Sequence, residues 1–184
     1  MSEAATVLRC QQGDRAAFVD LFSGYRASAY RYCAGMLGSP EDAMDVVQEA
    51  FLVAFKGIGR VDPERGFAGW FHGILRHLCL ATLRHRRTVA NPDLLTRVSD
   101  PGPSPETQTV DAERREAVAR CLARLTAVQR EVILLREFEG LGYREIADRL
   151  DVPIGTVMSR LYDARRALAR EMRELPAFEP EVSR

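Results

Sequence analysis

The sequence predicts an all-α protein of two small helical domains joined by a flexible linker. Three observations carry this. Apolar residues recur at helical three- and four-residue spacing through most of the 184 residues. Leu, Ala, Val and Arg dominate, and no long β-branched run favours sheet. The periodicity stops only between residues 88 and 110, where Pro92, Pro101, Pro103 and Pro105 fall among acidic residues. The expected division is therefore 1–87, a linker 88–110, a second domain 111–175 and a tail 176–184.

In the first block, Gly13 reads as a helix stop and Asp14 as the N-cap of the next helix. Phe18, Leu21, Phe22, Tyr25, Cys33 and Met36 then share a face, and Gly38 ends that helix. Ser39, Pro40, Glu41 and Asp42 open another: an N-cap, a proline at the first helical position, and acids facing the helix dipole. Its apolar stripe is Ala43, Val46, Val47, Ala50, Phe51 and Ala54. A glycine-bearing loop over 57–66 precedes a last helix carrying Phe67, Trp70, Phe71, Ile74, Leu78 and Ala81, which ends in Arg84, His85, Arg86 and Arg87.

In the second block, a helix to about Leu125 is followed by Thr126 and Gln129, spaced as a capping box. Gly140 and Gly142 close that helix. A short one, with Ile146, Ala147 and Leu150 inward, turns at Asp151-Val152-Pro153 into a final helix with Ile154, Val157, Leu161, Ala164, Leu168 and Met172 on one face. Two helices joined by so short a turn form a helix-turn-helix.

Composition excludes several classes of function. No apolar stretch approaches the ~18 residues of a membrane span, and the N-terminus lacks the apolar core of a signal peptide, so the expected compartment is the cytoplasm. Cys10, Cys33, Cys79 and Cys121 form no C-x-x-C pair and read as small buried apolar residues. His72, His77 and Cys79 are close in sequence, but no third ligand completes a metal set, so neither metal nor cofactor is expected. No nucleophile–base pair, phosphate loop or carboxylate dyad appears, so no enzyme is expected.

The formal net charge is zero. Residues 1–87 hold 11 basic and 9 acidic side chains, and 113–175 hold 13 and 11. Local arginine clusters, rather than total charge, must meet any polyanion. The final helix sets Thr156, Ser159, Arg160, Asp163, Arg166 and Arg170 opposite its core stripe, which suits either a recognition helix or a solvated amphipathic face. Asp45, Gln48 and Glu49 lie within a turn of one another and form one polar patch.

Particular strings narrow the choice. Gln129-Arg-Glu-Val-Ile-Leu-Leu-Arg-Glu-Phe-Glu-Gly-Leu-Gly-Tyr-Arg-Glu-Ile-Ala-Asp148, followed by Val152-Pro-Ile-Gly-Thr-Val-Met-Ser-Arg-Leu161, resembles the sigma-four domain of extracytoplasmic-function sigma factors. Asp42-Ala-Met-Asp-Val-Val-Gln-Glu-Ala-Phe51 resembles the sigma-two helix that docks on the clamp helices of the polymerase's largest subunit. Phe67-Ala-Gly-Trp-Phe-His-Gly-Ile-Leu-Arg-His-Leu78 resembles the element that opens and holds the minus-ten strand.

The resemblance implies an alternative sigma factor that binds RNA polymerase core, including the flap of the second-largest subunit, and directs promoter-specific initiation. It implies core binding by Asp42, Asp45, Gln48 and Glu49. Minus-ten contacts fall to Arg60, Arg65, Trp70, Arg76, His77 and Arg84, although Trp70, on the apolar stripe, reads as core ahead of base contact. Minus-thirty-five contacts fall to Thr156, Met158, Ser159, Arg160, Asp163, Arg166 and Arg170. No further domain follows, so signal sensing is expected of a separate anti-sigma protein. The chain departs from the family at His77 and Ala81, where Asn and Asp are usual, and at Asp163, where a basic residue is common. Two other readings remain: a two-domain helix-turn-helix regulator acting without core polymerase, and a protein-only adaptor.

Overall fold

The computed structural model describes residues 2–89 and 110–174. Among them every regular element is helical: α1 (Glu3–Gln11), α2 (Arg15–Leu37), α3 (Pro40–Gly57), a 3₁₀ turn (Ile58–Arg60), α4 (Phe67–Val89), α5 (Val110–Arg124), α6 (Ala127–Ile133), a π-helical turn (Leu134–Phe138), α7 (Tyr143–Leu150) and α8 (Ile154–Arg173). Most of the expected linker and the tail lie outside the described residues.

The helix ends follow local chemistry. The Asp14 carboxylate accepts from the Ala16 and Ala17 amides, and the Ser39 hydroxyl from that of Asp42, with Pro40 opening α3. Gly38 ends α2 at φ +66°, a conformation costly for any residue with a Cβ. Thr126 and Gln129 complete the capping box. Pro153, with an extended ψ of 146°, caps α8 from outside.

In the first domain α2, α3 and α4 pack together with α1 across one end. The centre is aromatic. Phe71 stacks on Phe51 at 4.9 Å and on Phe67 at 5.1 Å between ring centres, and Tyr25 meets both Phe67 and Phe71 edge-on. Cys33 and Cys79 lie 3.7 Å apart in the same core; the hydrogen bond with Cys33, and then burial, push the Cys79 thiol far up, so it stays protonated. All four cysteines are free and buried.

The second domain packs α5, α6 and α7 on α8, with Ile146, Ala147, Leu150, Val157, Leu161 and Ala164 buried. Ile154, expected inward, is 43% exposed, at the first position of α8. The π turn, closed by the Glu139 amide on the Leu134 carbonyl at 3.0 Å, widens the end of α6.

The two blocks also share an interface, in which α2 meets α5, α6 and the π turn while α4 meets α7. This moves the buried stripe of α4. The spacing pointed to Trp70, Ile74, Leu78 and Ala81 beside Phe67 and Phe71, but the fully buried positions are Phe67, Phe71, Leu75 and Cys79, with Trp70, Ile74 and Leu78 half-buried. His72, on the adjoining sector, is only 4% exposed and faces α7.

His72 stands edge-on to Tyr32, and its buried Nε2 meets no hydrogen-bond partner. Burial, reinforced by Arg149 and Arg76, lowers its pKa from 6.5 to about 3. The unfolded imidazole takes a proton near pH 6.5 and the folded one only near pH 3, so stability falls as pH drops through that window. By pH 5 the loss from this group alone is about 2 kcal/mol. Urea unfolding at pH 7 and pH 5 should show His72→Phe losing less stability on acidification than the parent; equal losses would remove His72 as the cause.

The aromatic centre gives a second expectation. Phe71→Ala should cost about 3–5 kcal/mol, whereas Val53→Ala, at a position 41% exposed, should stay within about 0.5 kcal/mol. Urea midpoints of the two variants measure the contrast.

Candidate nucleic-acid and partner interfaces

The outer face of α3 presents Asp45, Gln48 and Glu49, all exposed, opposite a stripe formed by Ala43, Val46, Val47, Ala50 and Ala54. Leu52, 60% exposed, lies among them, and Met44 and Phe55 flank the patch. An apolar centre within a polar rim is the usual anatomy of a docking surface. The sequence signal for it was Leu52 itself, an apolar residue off the core stripe. Beside the patch, an open groove of about 790 Å³ runs between α2 and α3, lined by Val19, Phe22, Arg26, Tyr30, Met44 and Phe51.

Asp42 stands apart from the other three. It is half-buried and ion-paired with Arg86, whose guanidinium also donates to the Leu37 carbonyl at 2.8 Å. The pair ties the end of α4 to the junction of α2 and α3.

The residues expected at the minus-ten element divide into two groups. Trp70, His77 and Arg84 recur every seven residues along α4 and so share one face. His77 and Arg84 are exposed, while Trp70 is half-buried, packed on Phe67 at 5.8 Å with Gly57 beneath its ring. A Cβ at Gly57 would come within 3.1 Å of that ring, so the glycine makes room for it. Arg60 and Arg65 are exposed on the connection before α4, where Arg65 lies 3.5 Å from Asp62. Arg76 is turned away from this face. Its Nε donates to Glu131 of α6 at 2.8 Å.

On α8, Ser159, Asp163, Arg166 and Arg170 are exposed on the side opposite Val157, Leu161 and Ala164. Met158, 56% exposed, joins Asp163, Arg166 and Arg170 along a groove of about 1150 Å³, with Arg165 and Arg173 nearby. Arg166 lies over the Tyr162 ring at 5.6 Å, and Arg170 is 3.4 Å from Glu171. Thr156 and Arg160 belong to the other flank and are half-buried. The turn before α8 passes through Asp151 at φ +52°, and a left-handed residue there swings α7 across α8, as a helix-turn-helix needs.

Glu131 and Tyr32 were not picked out by sequence reasoning. Glu131 is 1% exposed and accepts from the Tyr32 hydroxyl at 3.0 Å as well as from Arg76. Burial raises its carboxyl above the usual range, opposed by Arg76, Tyr32 and, more weakly, Arg160.

Both domains match known families: residues 21–89 match "Sigma-70 region 2" and residues 115–168 match "Sigma-70, region 4". The ECF RNA polymerase sigma factor SigW of Bacillus subtilis (strain 168) is 31% identical over 179 residues, spanning 92% of this chain and 96% of that protein. The ECF RNA polymerase sigma-E factor of Haemophilus influenzae (strain ATCC 51907 / DSM 11121 / KW20 / Rd) is 32% identical, over 95% and 97%. The fold is that of CnrH, solved in complex with the cytosolic domain of CnrY: TM-score 0.70 at 23% identity, over 91% of this chain and 95% of that one. The sigma factor RpoE, solved with the anti-sigma factor NepR from Bartonella quintana, shares it at TM-score 0.65 and 23% identity, over 80% and 91%. Identity above 30% along nearly the whole of each relative, with both domains in order, settles the class: the chain belongs to the extracytoplasmic-function family of RNA polymerase sigma factors, which are transcription initiation factors and not enzymes.

Proposed function

We propose that this sigma factor divides its work among three surfaces. The face of α3 around Asp45, Gln48, Glu49 and Leu52 docks on the polymerase clamp helices, with Asp42 holding it in place through Arg86. The loop before α4, with Arg60 and Arg65, and the Trp70, His77, Arg84 face take the minus-ten strand, while Arg76 lies on another sector of α4, paired with Glu131. Met158, Ser159, Asp163, Arg166 and Arg170 of α8, flanked by Thr156 and Arg160, enter the major groove of the minus-thirty-five element. The observation that supports this reading is that the exposed members on α3, α4 and α8 lie opposite their helix's core stripe, so they are available without unfolding. The second domain also meets the polymerase flap, and an anti-sigma protein controls the factor in the cytoplasm, as the companion of the similarly folded RpoE suggests. A regulator acting without polymerase, or an adaptor, would give no promoter-specific starts in run-off transcription with purified core; this chain should give them.

Charge reversal at Asp45 and Glu49 should weaken core binding while leaving the fold intact, because both side chains are exposed. Docking-rim charges act mainly on encounter, so the loss should shrink at high salt. Unchanged core affinity in the folded double variant removes the assignment.

The α8 surface should divide its labour. A major-groove helix meets base edges with short side chains and phosphates with arginines. Arg166→Ala should weaken all upstream sequences equally and lower the salt slope by about one. Ser159→Ala or Asp163→Ala should change which bases are preferred, by roughly 1–3 kcal/mol per specific contact. Selection from randomised upstream elements distinguishes these outcomes. Reordered preferences for Arg166→Ala, with unchanged ones for the other two, contradict the division.

A further inference from the structure

We infer that α1 splints the loop before α4, an inference that rests on assigning that loop to the minus-ten strand. Gln11 and Glu3, at opposite ends of α1, are positioning residues: they hold the two ends of the loop and so sharpen its choice among bases.

The Gln11 side-chain amide donates to the Val61 carbonyl at 2.8 Å and to the Ile58 carbonyl at 3.1 Å. A primary amide carries two N–H groups, so both are spent on the entry to the loop. At the exit, one Glu3 carboxylate oxygen accepts from the Phe67 amide at 2.9 Å, at the start of α4, and the other accepts from the Tyr25 hydroxyl. Gly66 admits the acid: its φ is +80°, and an added Cβ would lie 3.1 Å from the Glu3 carboxylate. From Glu3 to Gln11 the helix rises about 12 Å, so α1 bridges the two loop ends as a strut.

Val7 and Cys10, 0% and 2% exposed, already seat α1 in the core, so the polar anchors are not needed to hold the helix. Between the anchored ends Asp62, Glu64 and Arg65 are exposed. The Asp62 carbonyl accepts from the Gly66 amide at 3.1 Å and its carboxylate from the Glu64 amide at 3.0 Å, so the apex has a turn of its own. What the apex lacks is a fixed position against the Trp70 face, and α1 supplies it. A single strand brings no duplex groove to align it, so discrimination between bases needs loop atoms held in place beforehand. The splint comes from residues before the 21–89 segment that matches region 2, while the loop lies inside it.

The full chain and its holoenzyme with purified core provide the test. Gln11→Leu keeps the bulk and removes both donors. Glu3→Ala removes the acceptor at the start of α4, and Glu3→Gln restores one for the Phe67 amide. Hydrogen exchange should quicken about fivefold at amides between residues 61 and 67 in Gln11→Leu and Glu3→Ala, as expected for about one net hydrogen bond lost. Core affinity should not change, because the α3 face is untouched. In selection of randomised single-stranded DNA by the holoenzymes, the ratio between preferred and disfavoured bases should fall about fivefold in the same two variants. Glu3→Gln should stay parental in both measurements.

Unchanged loop exchange in Gln11→Leu and Glu3→Ala overturns the splint. Faster exchange with parental base preferences overturns the positioning role, as does a loss of core affinity that leaves the order and spread of preferred bases intact. The underlying assignment is read separately: replacing both Arg60 and Arg65 with Ala should weaken retention of all the selected DNA, and parental retention there would mean that the loop does not take the strand.

Discussion

Helix α4 carries three sectors around its axis, and what each one meets fixes the rest of the structure. Phe67, Phe71, Leu75 and Cys79 are driven into α2 and α3 by apolar burial. His72 and Arg76 turn toward the second domain, where Glu131 and Arg149 meet them, with Tyr32 of α2 alongside. Trp70, His77 and Arg84 keep the remaining side. The first sector is strong and non-directional, so it sets the position and rotation of α4. Once that rotation is fixed, the other two sectors have no freedom: the helix cannot turn Arg76 toward the Trp70 face without pulling Phe71 from its stack with Phe51.

This explains which parts of the protein were legible in the sequence. Helix starts depend on a side chain and an amide two or three residues on, so Asp14, Ser39 and Thr126 announced themselves. The stripe of α3 was legible because that helix buries one face against its own domain. On α4 the pattern misplaced part of the stripe, because periodicity assumes one buried face and α4 has two. The Tyr32–Glu131 and Arg76–Glu131 contacts join residues 99 and 55 positions apart, a separation at which no local spacing carries information. The candidate site is a different case. Pattern alone left α8 undecided between recognition and solvation, and the quoted strings, through their resemblance to a family, supplied the roles of individual residues.

A chain of zero net charge cannot rely on bulk attraction to DNA, so the internal partners of its arginines matter. Arg86 is committed to Asp42 and the Leu37 carbonyl, and Arg130 to four carbonyls; both hold helix ends together. Arg65 and Arg170 meet acids only across exposed contacts of 3.5 and 3.4 Å, which water and salt compete for readily. Those two yield to a phosphate at small cost. Arg76 lies between these classes, since it is itself part-exposed but its partner is buried.

That asymmetry bears on how the domain contact behaves. Desolvating a carboxylate nearly cancels what the ion pair returns, so a buried pair adds little net stability, while removing one member strands the other at considerable cost. The Glu131 pair therefore fixes the register of the interface rather than supplying its stability. That comes from apolar contact: Leu134, 2% exposed, seats over Gly35 of α2, and the buried residues of both domains belong to one continuous cluster.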